Sequence, residues 1–533
     1  MQFGSLLAMA VGLLFYWSVA LIGVLAGMIV AYAPRRRYLS APGLALLSVV
    51  FAVALLPNHP LLSHSSTHLG IVIDDSWLRL LILVFGSVCV GLIPVPVRSP
   101  VRFERGALLL SEEMAKVLWR QRKRKSDRHD VSLAGWPISC ADETKHFKLL
   151  GTTGTGKTTA ICELLSHLQQ RGDRAVVADP DGGYIRRFYD PKRGDLILNP
   201  FDLRSASWDV FGEMDAAIYA DELARALIPD AEGSAQEWAG YARTFLSSVL
   251  KQLYGTRMAT VSELYRLLLV APPGELRLLL EGTPSQPFLE VSNERMFTSL
   301  RSVTANAVRG LEYVCAQEKN SPVAIRSWIR EGRGVLFLPY QADQIAGLRA
   351  LLAAWLRLAI FQTLSLPPLD DPAQRRLWFI VDELDALGRI DGLSDALARL
   401  RKFGGRCVLG FQSIAQVSTV YGQGAAQTLV ENCANTLILR CSASDGGGTA
   451  RFASRLIGDR EVCVEQVTRS SSGSNRSRVS TSRVLQRRTE PALLPAQIEQ
   501  LPDRRGYLKI ASQAQWVPIE LALSQSVSAP MSF

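Results

Sequence analysis

Three apolar runs stand out at the start of the chain, before polar and apolar positions begin to alternate regularly. Residues 6–33 carry no charge, residues 42–56 form a shorter run, and residues 77–97 form a third. A helix of about 20 apolar residues is long enough to cross a bilayer. The pattern therefore predicts a transmembrane domain over residues 1–105. It has three spans, or two if the first run is cleaved or re-entrant.

Basic residues indicate the orientation of these spans. Arg35–Arg37 follow the first run, and Arg98 and Arg102 follow the third. Because Lys and Arg stay on the cytoplasmic side of a membrane, everything after Arg98 is predicted to be cytoplasmic. Residues 58–76 are predicted to form an outward-facing loop.

From residue 147 onward, short apolar strands alternate with helices. Residues 159–170 predict a helix whose apolar positions recur every three or four residues. The predicted strands are 147–150, 174–179, 196–198, 334–338, 377–381, 406–413, 435–440 and 506–510. Strands that alternate with helices favour a parallel sheet, so the predicted fold class is α/β.

Between residues 207 and 330 the strand signals fade and helical patterns replace them. The predicted helices are 215–227, 235–253, 261–269, 274–281, 293–318 and 324–331. Residues 207–330 are therefore predicted to be an all-α domain inserted into an α/β domain made of residues 147–206 and 331–520. Residues 106–146 are then a juxtamembrane linker, and residues 521–533 a C-terminal tail.

Composition narrows the possible classes of protein. Apolar residues make up 48% of the 533 residues, which excludes a mostly disordered chain. The net charge of +10 has the sign expected for a nucleic-acid or acidic-lipid partner. The eight cysteines include no C-x-x-C pair, so neither a disulfide framework nor a zinc site is predicted.

A glycine-rich run follows the first predicted strand of the α/β domain, and it reads Gly151, Thr152, Thr153, Gly154, Thr155, Gly156, Lys157, Thr158 and Thr159. Its spacing G-x-x-x-x-G-K-[ST] is that of a phosphate-binding P-loop. The glycines let backbone N–H groups turn towards a phosphate at the start of a helix. Lys157 is predicted to reach the β- and γ-phosphates of ATP, and the Thr158 hydroxyl to bind Mg²⁺.

Another predicted strand, residues 377–381, ends in the two carboxylates Asp382 and Glu383. A buried strand that presents carboxylates beside a P-loop is the Walker B arrangement. Asp382 is predicted to hold Mg²⁺, directly or through water, and Glu383 to act as general base towards the attacking water. Gln412 ends the next strand. Its amide is predicted to bind the γ-phosphate or the water, and the alternative is a surface glutamine.

Positive charge elsewhere leaves several interpretations open. A predicted helix between these strands carries Arg399, Arg401 and Lys402, and such a helix can present an arginine to the nucleotide of a neighbouring subunit. The basic residues 119–129 favour a solvated helix, a contact with anionic lipid or a contact with DNA phosphates. The serine-rich basic residues 466–488 predict a mobile hairpin or loop that either contacts DNA or is solvated.

These motifs together resemble the conjugative coupling proteins, the TrwB/TraD type of type IV secretion ATPase. The resemblance covers about residues 147–520, nearly all of the cytoplasmic part. The stretches that carry it are Gly151–Thr159, Val177–Gly182, Leu196–Asp202, Ile325–Trp328, Arg376–Leu387 and Gly410–Ser413. It implies a RecA-like P-loop domain with an all-α domain, anchored in the bacterial inner membrane and assembled into a hexamer.

The resemblance also implies an activity and partners. DNA-stimulated ATP hydrolysis would move single-stranded DNA towards the type IV secretion channel, with a relaxase and accessory proteins of the relaxosome as partners. The residues that match the family's motifs are Lys157, Thr158, Asp382, Glu383, Gln412 and, as the arginine acting on a neighbour's nucleotide, Arg401. The chain departs from the family in its third apolar run, since two spans are usual, and it has no long acidic C-terminal tail.

Other functions stay open on the sequence. The motor could move double-stranded DNA, although no C-terminal winged-helix reader is recognisable. It could instead secrete effector proteins, or serve as a docking platform that uses nucleotide as a switch. An ABC transporter is disfavoured, because no LSGGQ-like signature precedes the Walker B strand.

Overall fold

The computed structural model describes residues 101–127, 130–231, 233–317, 320–444, 448–471 and 479–522. The predicted transmembrane spans lie outside the described residues, as does nearly all of the predicted tail. Within the described residues, one helix, Ile345–Leu364, is long and apolar enough to cross a membrane. Of its most apolar 18-residue stretch, 67% is buried, and its buried apolar side chains belong to the core of the fold.

Strands in the described residues are β1 (Val101–Gly106), β2 (Val131–Leu133), β3 (Trp136–Ile138), β4 (Phe147–Leu150), β5 (Arg174–Pro180), β6 (Leu196–Ile197), β7 (Ser207–Trp208), β8 (Pro322–Val323), β9 (Val335–Tyr340), β10 (Leu377–Val381), β11 (Gly405–Phe411), β12 (Asn435–Ile438), β13 (Asp459–Ser471), β14 (Val479–Pro491), β15 (Arg505–Lys509) and β16 (Val517–Glu520). Contacts divide the chain into two units, residues 103–462 with 488–533, and residues 1–102 with 463–487. Of the second unit the structure describes chiefly the two arms of the hairpin β13–β14.

Helices in the described residues are Glu112–Lys125, Cys140–Glu143, Lys157–Arg171, Ile185–Phe188, Tyr219–Leu227, Ala235–Leu253, Val261–Leu269, Pro273–Leu279, Glu294–Val308, Leu311–Cys315, Ile325–Glu331, Ile345–Leu364, Leu393–Leu400, Ile414–Tyr421, Gln423–Asn432, Gly448–Ile457 and Pro495–Glu499.

A nine-stranded sheet organises the larger unit, in the order β16-β15-β12-β4-β11-β10-β5-β9-β6. The seven strands from β12 to β6 run parallel, and β15 and β16 are antiparallel. Strands β9, β10 and β11 are buried at every residue, as expected for a sheet covered by helices on both faces. The α/β prediction is confirmed, and all eight predicted strands lie in this sheet. Strand β16 was not predicted.

The chain enters the helical region after β7 and returns from it through β8, and these two strands are neighbours. Strands β7 and β8 pair in parallel. Beside them Glu213 accepts hydrogen bonds from Trp208 Nε1 at 2.9 Å and from the backbone N–H of Ile325 and Arg326 at 2.6 and 2.9 Å. The buried carboxylate of Glu213 therefore links the segment that leads into the helical region to the segment that follows it.

The predicted single helix over residues 293–318 is wrong in its extent. It is interrupted near Gly310, and its parts are the helices Glu294–Val308 and Leu311–Cys315. At Gly310 the backbone passes so close to the long core helix that a Cβ would lie 2.6 Å from Leu351 Cγ. Glycine allows this approach, and its low helix propensity favours the break.

Residues 106–146, expected to be a linker, fold against the α/β core. Leu133 and Ile138 of the hairpin β2–β3 are fully buried in the same core cluster as the helix Lys157–Arg171. Glu163 of that helix accepts hydrogen bonds from the backbone N–H of Ala134 and Gly135, at 2.8 and 2.9 Å. This stretch is therefore part of the structure that holds the P-loop helix.

Candidate nucleotide site

The glycine-rich loop joins β4 to the helix Lys157–Arg171 at the carboxyl edge of the parallel strands. Gly154 and Gly156 have φ values of 78° and 117°, a backbone that glycine adopts without the clash of a Cβ. A Cβ at Gly151 would lie 2.7 Å from Thr155 Oγ1. The first backbone N–H groups of a helix have no partner within it and attract an anion. The loop therefore has the form of a phosphate cradle.

Lys157 folds back over this loop and is only 6% exposed. Its Nζ donates to the carbonyl oxygens of Gly151 at 2.6 Å and Thr152 at 3.4 Å. Burial lowers the pKa of Lys157, and the charges of Asp382 and Glu383 oppose that effect. The ammonium group thus lies among loop carbonyls, within reach of the phosphate cradle.

Asp382 follows β10 directly and is almost completely buried. Its Oδ2 accepts hydrogen bonds from Thr158 Oγ1 at 3.1 Å and from the Tyr184 hydroxyl at 2.6 Å. Its Oδ1 is buried and has no hydrogen-bond partner among the described residues. A buried carboxylate oxygen left without a partner needs one, and Mg²⁺ prefers oxygen ligands. Thr158 and Asp382 therefore fit the predicted Mg²⁺ site.

Gln412 connects the loop to the second Walker B carboxylate. Thr153 Oγ1 donates to Gln412 Oε1 at 3.2 Å, and Gln412 Nε2 donates to Glu383 Oε1. Burial, and then the charge of Asp382, raises the pKa of Glu383, which brings this carboxylate closer to the acidity that suits a general base near neutral pH. The structure therefore places Gln412 between the predicted base and the phosphate cradle. The alternative, a surface glutamine without contacts to the site, does not describe it.

Two residues at this site were not predicted from the sequence. The Tyr184 ring is 1% exposed, and its hydroxyl contacts Asp382. Asp179, at the end of β5, accepts hydrogen bonds from the backbone N–H of Tyr184 at 3.0 Å and Ile185 at 2.7 Å. Asp179 could have been recognised as a carboxylate at the end of a third predicted parallel strand, because the carboxyl ends of parallel strands meet at one edge of a sheet. Nothing in the sequence pattern indicated the tyrosine.

Arg401 does not join this cluster. It begins the short 3₁₀-helix Arg401–Phe403 ahead of β11, whereas Gln412 comes just after that strand. A seven-residue strand spans about 20 Å, so Arg401 lies at the amino edge of the sheet, opposite its own P-loop. The predicted helix ends at Leu400, which leaves Arg399 within the helix and Arg401 and Lys402 in the turn that follows it.

The part of the chain that forms this site matches a known protein family. The model of the type IV secretion-system coupling protein DNA-binding domain matches residues 130–522. Coupling protein TraD of Escherichia coli (strain K12) is 32% identical over 410 residues, 75% of this chain and 56% of TraD. VirD4, a type IV secretion system-coupling protein of Bartonella quintana (strain Toulouse), is 25% identical over 176 residues, 30% of this chain and 26% of VirD4. The chain thus spans little more than half of TraD and about a quarter of VirD4.

Solved structures of the coupling protein TrwB share the fold. The unbound form of bacterial conjugative coupling protein TrwB has a TM-score of 0.70 at 30% identity, covering 82% of this chain and 96% of that one. The plasmid coupling protein TrwB in complex with ADP and Mg²⁺ has a TM-score of 0.70 at 31% identity, covering 82% and 97%.

Proposed function

We propose that this chain, which belongs to the type IV secretion-system coupling proteins, is an ATPase that couples a relaxosome to the secretion channel and drives transfer of single-stranded DNA during conjugation. One observation carries the proposal. The P-loop, the carboxylates Asp382 and Glu383, and Gln412 converge at one edge of the sheet. TrwB is known with ADP and Mg²⁺, and the matching family model describes a DNA-binding domain.

In this proposal each residue has a separate task in ATP hydrolysis. The loop N–H groups and Lys157 bind the phosphates, and Thr158 and Asp382 hold the cation. Bound Mg²⁺ neutralises charge that develops on the phosphate oxygens. Glu383 accepts a proton from the attacking water. Gln412 fixes the position of that base relative to the loop through its contact with Thr153.

Arg401 requires a second copy of the chain in this mechanism. It is exposed and lies at the edge of the sheet opposite its own P-loop, so the phosphates that it can approach are those of a neighbour. An arginine supplied across an interface stabilises charge on the transferring phosphate. We therefore propose a homo-hexameric ring, as the family resemblance implies.

The proposal keeps the domain bounds expected from the sequence, but residues 106–146 are no longer a linker, and the all-α domain begins and ends at the short strands β7 and β8. Residues 1–105 anchor the ring in the inner membrane, and the ATPase part lies in the cytoplasm. The RecA-like domain comprises residues 147–206 and 331–520, with residues 106–146 packed on it, and residues 207–330 form the all-α domain. The net charge of +10 suits a nucleic-acid partner.

ATP turnover of the full-length protein in lipid nanodiscs tests this function, measured without DNA, with single-stranded DNA and with double-stranded DNA at low salt. We expect single-stranded DNA to stimulate turnover and Lys157→Ala to abolish it, while Lys192→Ala, at an exposed lysine, serves as control.

Turnover that does not change when DNA is added, together with no DNA binding, would refute the proposal. A protein substrate crosslinked without DNA would favour effector secretion. Transfer supported by a hydrolysis-deficient Glu383→Gln ring would favour a docking platform.

A further inference from the structure

We propose that Tyr184 is a positioning residue of the metal site, whose phenol holds the Asp382 carboxylate so that the unpartnered oxygen Oδ1 faces the cation. The proposal rests on the proposed ATPase function and adds to it a residue that belongs to neither the P-loop nor the Walker B motif. Tyr184 contacts the carboxylate that would hold the metal, and we assign it no contact with ATP.

The two oxygens of Asp382 have unequal surroundings. Oδ2 accepts the Tyr184 hydroxyl at 2.6 Å and the Thr158 hydroxyl at 3.1 Å. Oδ1 is buried and accepts nothing within the described part of the chain. Donors on one oxygen fix the rotation of the carboxylate and leave the other oxygen for a ligand. A cation at Oδ1 would meet a carboxylate whose orientation is already determined.

The phenol of Tyr184 is itself held firmly by the end of β5. Asp179, which is fully buried, accepts the backbone N–H groups of Tyr184 and Ile185. The intervening turn includes Asp181 with φ of 56°, and the backbone N–H of Asp181 donates to the carbonyl oxygen of Tyr340 on β9 at 2.8 Å. The turn is thus fastened to two neighbouring strands, so the hydroxyl has a defined position from which to reach Asp382.

The Tyr184 hydroxyl is one of two donors to Asp382 Oδ2, and the Thr158 hydroxyl is the other. Removing the Tyr184 hydroxyl leaves a single donor, so the orientation of the Asp382 carboxylate is less firmly fixed.

Loss of a hydrogen-bond partner behind a metal ligand commonly lowers metal affinity by about 10- to 100-fold. We expect this loss in Tyr184→Phe. The test uses the full-length protein with bound ADP and titrates Mn²⁺ as a spectroscopic substitute for Mg²⁺, with free Mn²⁺ measured by electron paramagnetic resonance. Affinity for ADP in EDTA is measured in parallel, because it reports the P-loop without any metal.

The matched control is Tyr189→Phe, five residues along the same segment, where the half-buried ring packs against Phe337 with centroids 6.3 Å apart. We expect Tyr189→Phe to bind Mn²⁺ like the parent protein. Asp179→Asn should weaken Mn²⁺ binding in the same direction as Tyr184→Phe, since it loosens the turn that carries Tyr184.

Two outcomes would overturn the proposal. Unchanged Mn²⁺ affinity in Tyr184→Phe would show that Asp382 needs no help from the phenol. A loss of ADP affinity in EDTA as large as the loss of Mn²⁺ affinity would show that Tyr184 supports the general fold of the site. Neither outcome affects the proposed function, which depends on DNA-stimulated turnover of the parent protein.

Discussion

The two edges of the parallel sheet differ in the charged side chains at which the strands begin and end. At the carboxyl edge, Asp179, Asp382 and Glu383 end or follow neighbouring strands beside the P-loop. At the amino edge, arginines lead into the strands, with Arg174 opening β5 and Arg406 second in β11. The proposed phosphate site thus lies at one edge of the sheet and these arginines lie at the other, about a strand's length away. A single copy cannot bring the two edges together, whereas the ring that we propose would do so.

The arginines of the amino edge do not all serve one purpose. Arg406 is completely buried, and its Nε lies 2.9 Å from Glu143, whose other oxygen pairs with Arg171 at 2.7 Å. Arg174 donates to the carbonyl oxygens at the end of the helix Ile325–Glu331. Arg401, in contrast, is exposed. Burial thus separates arginines that stabilise the fold from one that is available to a partner copy.

The largest effect that we predict is for Arg401→Ala, which removes the arginine that we propose acts on the nucleotide of a neighbouring subunit. An arginine supplied across an interface accelerates phosphoryl transfer by about 10³- to 10⁵-fold, so turnover should fall by about that factor while ATP binding persists. The sharpest measurement mixes Arg401→Ala with Glu383→Gln. Each variant alone should be slow, but a mixed ring would contain sites with an intact base and an intact neighbouring arginine, so activity should rise above that of either variant.

Arg399→Ala is the matched control, since Arg399 is exposed two residues away but lies within the helix Leu393–Leu400. It should retain turnover. If the mixture stays inactive, or if Arg401→Ala turns over ATP normally, Arg401 has no role in a neighbour's site. The difference between the two edges of the sheet would then have no part in ATP hydrolysis.

Glu383→Gln should produce the next largest effect, a fall in turnover of about 10²- to 10⁴-fold, typical of a lost general base. Because burial and the charge of Asp382 raise the pKa of Glu383, the base becomes protonated on acidification earlier than an exposed glutamate would. Turnover of the parent protein should therefore decline as the pH falls through this raised pKa. A profile of kcat/KM against pH should show this decline on its acidic side for the parent protein, and the profile of Glu383→Gln should lack it.

Glu431→Gln, at an exposed glutamate on the helix Gln423–Asn432, provides the control for Glu383. It should keep both the rate and the acidic limb. A Glu383→Gln variant with normal turnover would place the base elsewhere, and an unchanged acidic limb in a slow variant would assign that titration to another group.

The sequence predicted the carboxyl edge far better than the amino edge. The P-loop and the Walker B strand are contiguous motifs, so their residues could be identified before the fold was known. Tyr184 lies 198 residues from Asp382 in sequence and meets it only because β5 and β10 are neighbours. The burial of Arg406 against Glu143 likewise depends on strand order. Spacing within a motif is visible in sequence, while contacts between strands follow from topology.

Glu143→Gln tests the structural half of the amino edge. Glu143 is fully buried and pairs with both Arg171 and Arg406. Removing one partner of a buried ion pair costs about 3–5 kcal/mol, because a buried charge is left unpaired. The free energy of unfolding, measured in denaturant, should fall by about that amount, and ADP affinity of the folded protein should not change. A loss below about 1 kcal/mol, the value of an exposed pair, would contradict this assignment.

The smallest effect that we predict returns to the carboxyl edge. Gln412→Ala removes the amide between Thr153 and Glu383, and a hydrogen bond to a charged group contributes about 1.5–3 kcal/mol, or about 10- to 100-fold in rate. Turnover should fall by about this factor, and Gln427→Ala, at an exposed glutamine, should leave it intact. If Gln412 acts by linking the loop to the base, adding Thr153→Val to Gln412→Ala should cost nothing more, because the link is already broken. Additive losses would instead mean that the two side chains act separately on the nucleotide.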